Sequence, residues 1–247
     1  MKYLRFFSEI NKNDTVVAGG KGASLGEMTQ AGIPVPNGFI ITTDAYNKPL
    51  DEKEIFAAFD RLETQYVAVR SSATAEDSNN TSWAGQLETY LNITKDNLIE
   101  SIKKCWASIK TNRALAYAQS NNILEDNQKV AVVVQKMIDS QIAGVMFTAN
   151  PVTSDRNQIV LEACLGLGES LVQGQVTPDN FLIDKKSFTI INKNITLNTL
   201  SDNQVIELSK LAILIENHYN YPQDIEWAID KKNEIFILQS RPITTLS

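Results

Sequence analysis

The chain has 247 residues, 43% of them hydrophobic and 21% charged, with a net charge of −6, two cysteines and a single histidine. That length holds one large or two small domains, and the apolar fraction excludes wholesale disorder. No apolar run approaches the ~18 residues that span a bilayer, and the start, Met1-Lys2-Tyr3-Leu4-Arg5, carries no signal-peptide core, so a cytoplasmic protein is expected.

In chain order, Ala23 to Ala31 reads as a helix stopped by Gly32-Ile33-Pro34, and Gly38 to Thr42 as a short strand. Polar residues around Pro49, from Asp44 to Lys53, read as a linker that sets off a short N-terminal block. Glu52 to Leu62 predicts a helix with Ile55, Phe56, Phe59 and Leu62 on one stripe. Tyr66 to Arg70 and Leu87 to Ile93 predict strands, and Lys95 to Gln119 a long helix opened by Thr94 as N-cap. Val130 to Ile138 is the strongest buried-strand pattern, followed by strands over Ala143 to Thr148 and Gln158 to Ala163. Ser201 to Asn217 predicts a helix with Ser201 as N-cap and Gln204 at the capping-box position. The chain closes on strands Asp224 to Asp230 and Glu234 to Ser240, joined by the hairpin signature Lys231-Lys232-Asn233. The sum is an α+β chain with mostly antiparallel sheets.

The residue inventory narrows the chemistry. His218 alone excludes a multi-histidine metal centre. Cys105 and Cys164 are too far apart for a zinc knuckle or a CxxC redox pair and read as reduced structural thiols. The acidic balance argues against a nucleic-acid groove, while a local basic patch still suits a nucleotide.

Four motifs could carry that chemistry. The run Gly19 to Gly26 lets backbone N–H groups approach an anion at a helix start, with Lys21 as a mobile cation, although it lacks Walker A spacing. It also reads as a glycine-rich turn with a solvated lysine. Val69-Arg70-Ser71-Ser72 ends a strand in a guanidinium fork and two hydroxyls, which suits phosphate oxygens or a structural pair with Glu76 or Asp77. Thr81 to Thr89, with small residues around Gly85, reads as a flap or a plain hairpin loop. In the terminal hairpin, a turn centred on Lys232 and Asn233 pairs Glu226 with Gln239 and puts Arg241 two residues on along the same face. Ile225, Trp227 and Ile229 would then share the other face with Phe236 and Leu238. Paired oxygens at Glu226 and Gln239 suit Mg²⁺, and Arg241 a phosphate; a merely solvated polar face is the other reading.

Together the segments GGKGASLGEM, GIPVPNGFIIT, VRSSATAED, SWAGQLETYLN, VVVQKMI, AGVMFTANP, EACLGLGESLVQGQVTPD, DIEWAID and IFILQSRP occur in one order over nearly the whole chain. In that order they resemble the nucleotide-binding domain of the phosphoenolpyruvate synthase, pyruvate phosphate dikinase and rifampin phosphotransferase family. The resemblance implies an ATP-grasp fold with ATP and Mg²⁺ between two lobes, residues 1–128 and 129–247. It implies phosphate contacts from Lys21 and Arg70, and a flap that includes Gly85, Gln86 and Thr89. Gln135, Lys136, Met137 and Ile138 would form the adenine hinge, and Glu162, following a strand, would lie near ribose or base. Glu226 and Gln239 would be the Mg²⁺ ligands, and Arg241 would hold the triphosphate. Arg70 and Arg241 are the catalytic candidates.

Two departures from the family shape the functional expectation. The segment from Asp44 to Gln65 is shorter than is usual in the family, so the first lobe is expected to be trimmed. The family passes phosphate to a histidine on a separate swivelling domain, whereas His218 reads as a surface or structural residue near a helix end. The expectation is therefore a phosphotransferase domain or subunit. It would phosphorylate a histidine on a separate protein that also carries the substrate-binding domain, with AMP and phosphate as products. A regulatory nucleotide-binding module and a direct kinase of a small hydroxyl compound are the alternatives, and the final acceptor is open. Met1 and the lack of a tag favour a complete chain.

Overall fold

A computed structural model describes residues 3–74, 88–109 and 129–246. The chain divides into two compact units, Met1–Gly32 with Pro36–Met137, and Ile33–Val35 with Ile138–Ser247.

The first unit is built on a five-stranded antiparallel sheet in the order β1-β2-β5-β3-β4. Its elements are β1 (Leu4–Phe6), α1 (Thr15–Gln30), β2 (Gly38–Ile41), α2 (Glu52–Asp60), β3 (Val67–Ala73), β4 (Thr89–Ile93), α3 (Leu98–Ser108) and β5 (Val130–Lys136). One face of the sheet carries Phe39, Val67, Val69, Val132 and Val134 into a core with Ile55 and Phe59 of α2 and Leu98, Ile102 and Trp106 of α3. The segment from Asp44 to Lys53 is no divider, because β1 and β2, which precede it, pair into the same sheet as β5. Asp51 at its end caps α2 by accepting from the Glu54 N–H at 3.1 Å. Thr94 is not the helix cap expected: a short 3-10 turn intervenes, α3 begins at Leu98, and neither Thr94 nor Asn97 makes a side-chain cap bond. The expected extension of that helix to Gln119 lies outside the described residues.

The second unit is a six-stranded antiparallel sheet in the order β11-β10-β6-β7-β8-β9. It comprises β6 (Ser140–Phe147), β7 (Gln158–Leu165), a single turn α4 (Glu169–Val172), β8 (Asp179–Asp184), β9 (Ile190–Asn194), α5 (Asp202–Tyr219), β10 (Gln223–Asp230) and β11 (Ile235–Pro242). Ile225, Trp227, Ile159 and Leu161 are wholly buried on one face, and α5 buries Val205, Leu208, Ala212 and Ile215. The Ser201–Gln204 capping box opens α5 as its sequence requires. The loop before α5 is closed by buried Asp179. Its carboxylate accepts from the N–H groups of Thr196, Leu197 and Thr199 at 2.6–2.7 Å and from the Thr199 hydroxyl at 2.8 Å.

The units divide at Met137/Ile138 rather than at 128/129, since β5 pairs with β2 and β3 and so belongs to the first unit. Ile33–Val35 joins the second unit, where the Pro34 carbonyl accepts from the Ile237 N–H at 2.8 Å. The fold is α+β with two antiparallel sheets. No helix among the described residues is long and apolar enough to cross a membrane.

Candidate functional site

In the first unit the cationic candidates lie around β3. Arg70 occupies a register position opposite Thr89 on β4 and Val133 on β5, and is 8% exposed. Lys21 is 7% exposed, and its ammonium donates to the Ser71 carbonyl at 3.1 Å. The glycine-rich run begins where two helical segments meet, and from Gly20 onward it opens the second of them, as its composition suggested. It lies inside α1, which kinks at Gly19 where φ is 70° and ψ 171°. The Gly22 N–H is taken by the Ser72 hydroxyl at 3.1 Å. The Ser71 hydroxyl and N–H both donate to the Glu88 carbonyl, at 2.9 and 3.2 Å. Thr89 is thus brought beside Arg70, while Gly85 and Gln86, with Glu76 and Asp77, lie outside the described residues.

At the end of β5, the Lys136 and Met137 N–H groups donate to the carbonyls of Asn37 and Tyr66 at 2.8 and 3.0 Å. The Ile138 carbonyl accepts from the Ser140 N–H at 2.8 Å. Gln135 is 2% exposed, and its Nε2 has no hydrogen-bond partner among the described residues.

In the second unit, Glu226 does pair with Gln239, and Asp224 with Arg241. Register partners share a face, so one row runs from Gln239 through Glu226 and Val145 to Glu162 and Asn180. Glu162 lies within β7 rather than after a strand. A bulge after Glu226 corrects the expected apolar face: Trp227 pairs with Ile237, so Ile237 and Ile235 join the buried side and Phe236 falls on the Glu226 side. Leu238 falls at the bulge, between the Glu226–Gln239 and Trp227–Ile237 pairs.

Asp224 was missed by sequence reasoning, although the hairpin arithmetic that paired Glu226 with Gln239 also pairs it with Arg241. Its Oδ2 accepts from Arg241 Nε at 2.8 Å, within an ion pair of 2.7 Å. Burial, helped by the nearby Glu226 charge, pushes the Asp224 carboxyl above its usual range against the opposing pull of Arg241. Burial likewise raises Glu162. In both, burial disfavours the charged carboxylate, which a nearby cation offsets.

His218 stands in the last turn of α5, edge-on to the Tyr219 ring at 5.2 Å between centroids. Both cysteines are buried free thiols, and burial pushes Cys105 up to about 12.

Comparison with known proteins shows the family of the chain. Residues 15–63, 52–199 and 196–247 match the pyruvate phosphate dikinase AMP/ATP-binding domain. The chain is 35% identical over 359 residues to a phosphoenolpyruvate synthase of Pyrococcus furiosus, covering 99% of this chain and 44% of that protein. It is 37% identical over 320 residues to a probable phosphoenolpyruvate synthase of Methanothermobacter thermautotrophicus, covering 100% and 46%. The chain thus spans a little under half the length of these curated relatives. The matched stretches overlap at residues 52–63 and 196–199; the first overlap falls within Asp44 to Gln65, the second in the loop that Asp179 closes. Among solved structures, the D-alanine–D-alanine ligase of Coxiella burnetii is similar with a TM-score of 0.48 and 11% identity, over 96% of this chain and 50% of that one.

Proposed function

The chain belongs to the family of pyruvate phosphate dikinase AMP/ATP-binding domains, and on that premise we propose that it binds Mg-ATP in an ATP-grasp manner and passes a phosphoryl group to a histidine on a separate protein. The observation that carries the reading is the pairing of Glu226 with Gln239 on a face that also bears the Asp224–Arg241 ion pair. A carboxylate and an amide oxygen side by side are hard donors. They fit Mg²⁺, which takes one or two protein oxygens and completes its shell with phosphate oxygens and water. Among the described residues no cluster of three or more His, Cys, Asp or Glu could hold a metal by itself. Glu226 and Gln239 therefore suit an ion that arrives with a nucleotide, and that ion would neutralise phosphate charge.

The chain's own residues do the rest. Lys21, Arg70 and Arg241 bind phosphate oxygens and stabilise the charge spread over the transferring group. Asp224 orients Arg241. Since the Lys136 and Met137 N–H groups are committed to Asn37 and Tyr66, adenine is read by the Ile138 N–H and the Met137 carbonyl, with buried Gln135 Nε2 as a further donor. Glu162 holds ribose. Thr89 and the Gly85–Gln86 segment cover the phosphates. The acceptor imidazole is itself the nucleophile, so its attack needs no general base; both phosphoanhydride bonds of ATP are cleaved, one by the imidazole and one by a water that is consumed, giving phosphohistidine, AMP and phosphate. The substrate-binding and histidine-bearing parts belong to another chain or segment, in a cytoplasmic phosphotransferase system.

The test is incubation with ATP and Mg²⁺, with and without a protein carrying the histidine domain of a phosphoenolpyruvate synthase. AMP and phosphohistidine formed only in the presence of that protein support the reading. Nucleotide binding without product under any pairing would leave a regulatory module, and ADP with a small acceptor a direct kinase. Glu226→Ala should lower turnover about a hundredfold or more with the fold intact; unchanged turnover would sink the assignment.

A further inference from the structure

In outline α1 is one helix, but its hydrogen bonding is interrupted. In a continuous helix the Gly22 N–H would donate to the Ala18 carbonyl. The turn of the backbone at Gly19 breaks that ladder. The Ser72 hydroxyl, from β3, stands in the break: it accepts from the Gly22 N–H at 3.1 Å and donates to the Ala18 carbonyl at 2.9 Å. A second hydroxyl, that of Thr43, donates to the Val16 carbonyl at 2.8 Å on the same turn. Ser72 is wholly buried, and the approach is so close that a Cβ at Gly19 would lie 2.2 Å from its Oγ. The gap in the helix is thus filled by a group from a strand distant in sequence.

The consequence falls on Lys21. Its backbone lies next to the Gly22 N–H that Ser72 holds, and its ammonium rests on the carbonyl of Ser71, the residue between Arg70 and Ser72. Both ends of the lysine are therefore referred to the strand that carries Arg70. We propose that Ser72 is a positioning residue for triphosphate binding, whose hydroxyl splices the broken helix to β3 and so sets the Lys21 ammonium relative to the Arg70 guanidinium. It touches no phosphate itself. The inference rests on the phosphate roles given above to Lys21 and Arg70.

Ser72→Ala keeps the Cβ and removes only the hydroxyl, so the Gly22 N–H and the Ala18 carbonyl lose their shared partner. Affinity for ATP with Mg²⁺, measured by calorimetric titration, should fall about tenfold, while affinity for adenosine, which has no phosphates, stays within about twofold. A merely structural hydroxyl would not change that ratio. Ser209→Ala is the control: its hydroxyl is equally buried and bonds the Val205 carbonyl at 2.7 Å, and its loss should leave the ratio as in the parent chain. If Ser72→Ala does not fold, Ser72→Cys keeps the volume with a weak hydrogen-bonding group and is read in the same way. Lys21→Ala separates the two levels. If it weakens ATP binding and the Ser72 variant leaves the ATP-to-adenosine ratio within about twofold of the parent, the positioning role is overturned and the phosphate reading stands. If Lys21→Ala leaves ATP affinity unchanged, both fall.

Discussion

Lys21 and Arg70 are 7% and 8% exposed, with the Lys21 ammonium held on the buried Ser71 carbonyl, whereas Glu226, Asp224 and Arg241 stand half-buried on an antiparallel face where strand register and the Asp224–Arg241 ion pair place them. In the first unit, placing the cations is part of folding the domain, so a change there disturbs stability and ligand binding together. In the second, a side chain can be exchanged without moving its neighbours, because the ladder of β10 and β11 is held by backbone bonds and by the buried face beneath. The proposed reaction would thus draw on one region where function and stability are coupled and one where they are separable. That contrast can be broken or sharpened by substitution.

The largest effect should come from Gly19→Ala. Its Cβ would lie 2.2 Å from Ser72 Oγ and 2.3 Å from the Ser72 carbonyl oxygen, at a φ of +70° that side chains rarely adopt. Overpacking and backbone strain add, and a loss of about 3–5 kcal/mol is expected in chemical denaturation, or failure to accumulate folded protein. The second unit has its own rigid point at Gly144, where a Cβ would meet the Glu162 carbonyl oxygen at 1.9 Å and the Trp227 ring at 2.6 Å. Gly144→Ala should therefore be nearly as damaging. If either variant melts like the parent chain, the close packing on which the comparison rests is wrong.

Arg241→Ala probes the separable side. Asp224 lies above its usual range because burial outweighs Arg241, so its contribution to stability is present at acid pH and lost as pH rises through its folded value. Removing Arg241 takes away the one influence that lowers it, leaving a carboxylate that ionises at greater cost. The variant should lose about 1–3 kcal/mol near neutral pH and recover toward the parent as pH falls to about 4, followed by thermal melts across that range. A deficit that does not vary with pH would show that the Asp224–Arg241 pair contributes nothing specific.

The parts of the molecule legible in the sequence are those fixed by local rules. A short hairpin turn dictates register, so Glu226 opposite Gln239 follows from counting, and the α5 capping box follows from Ser201 and Gln204. Bulges and insertions obey no local rule. The Ile237 N–H reaches the Pro34 carbonyl from a distant segment, and the shift after Glu226 moved the apolar face from Leu238 to Ile237. Ser72 enters the helix from far along the chain, so Gly19 to Gly22 read as a phosphate loop when part of its hydrogen bonding is already satisfied by β3. β1 is three residues long and β9 is almost wholly exposed, which left neither with a clear apolar pattern. β8 did carry one, with Phe181 and Ile183 alternating into the core beyond the Asp179 loop.

The smallest effect separates two helix starts that look alike in sequence. The Ser201 hydroxyl accepts from the Gln204 N–H and the Gln204 Oε1 accepts from the Ser201 N–H, so Ser201→Ala should lose about 1 kcal/mol. Thr94 makes no such bond: the Asn97 N–H goes to its backbone carbonyl at 3.2 Å, which any residue supplies. Thr94→Ala should therefore change stability by less than about 0.5 kcal/mol, measured beside Ser201→Ala in the same denaturant series. Equal losses would mean that the Thr94 hydroxyl caps after all and that α3 begins where its sequence suggested. A loss confined to Ser201 would mean that α3 is held by its buried stripe of Leu98, Ile102 and Trp106, and α5 partly by its cap.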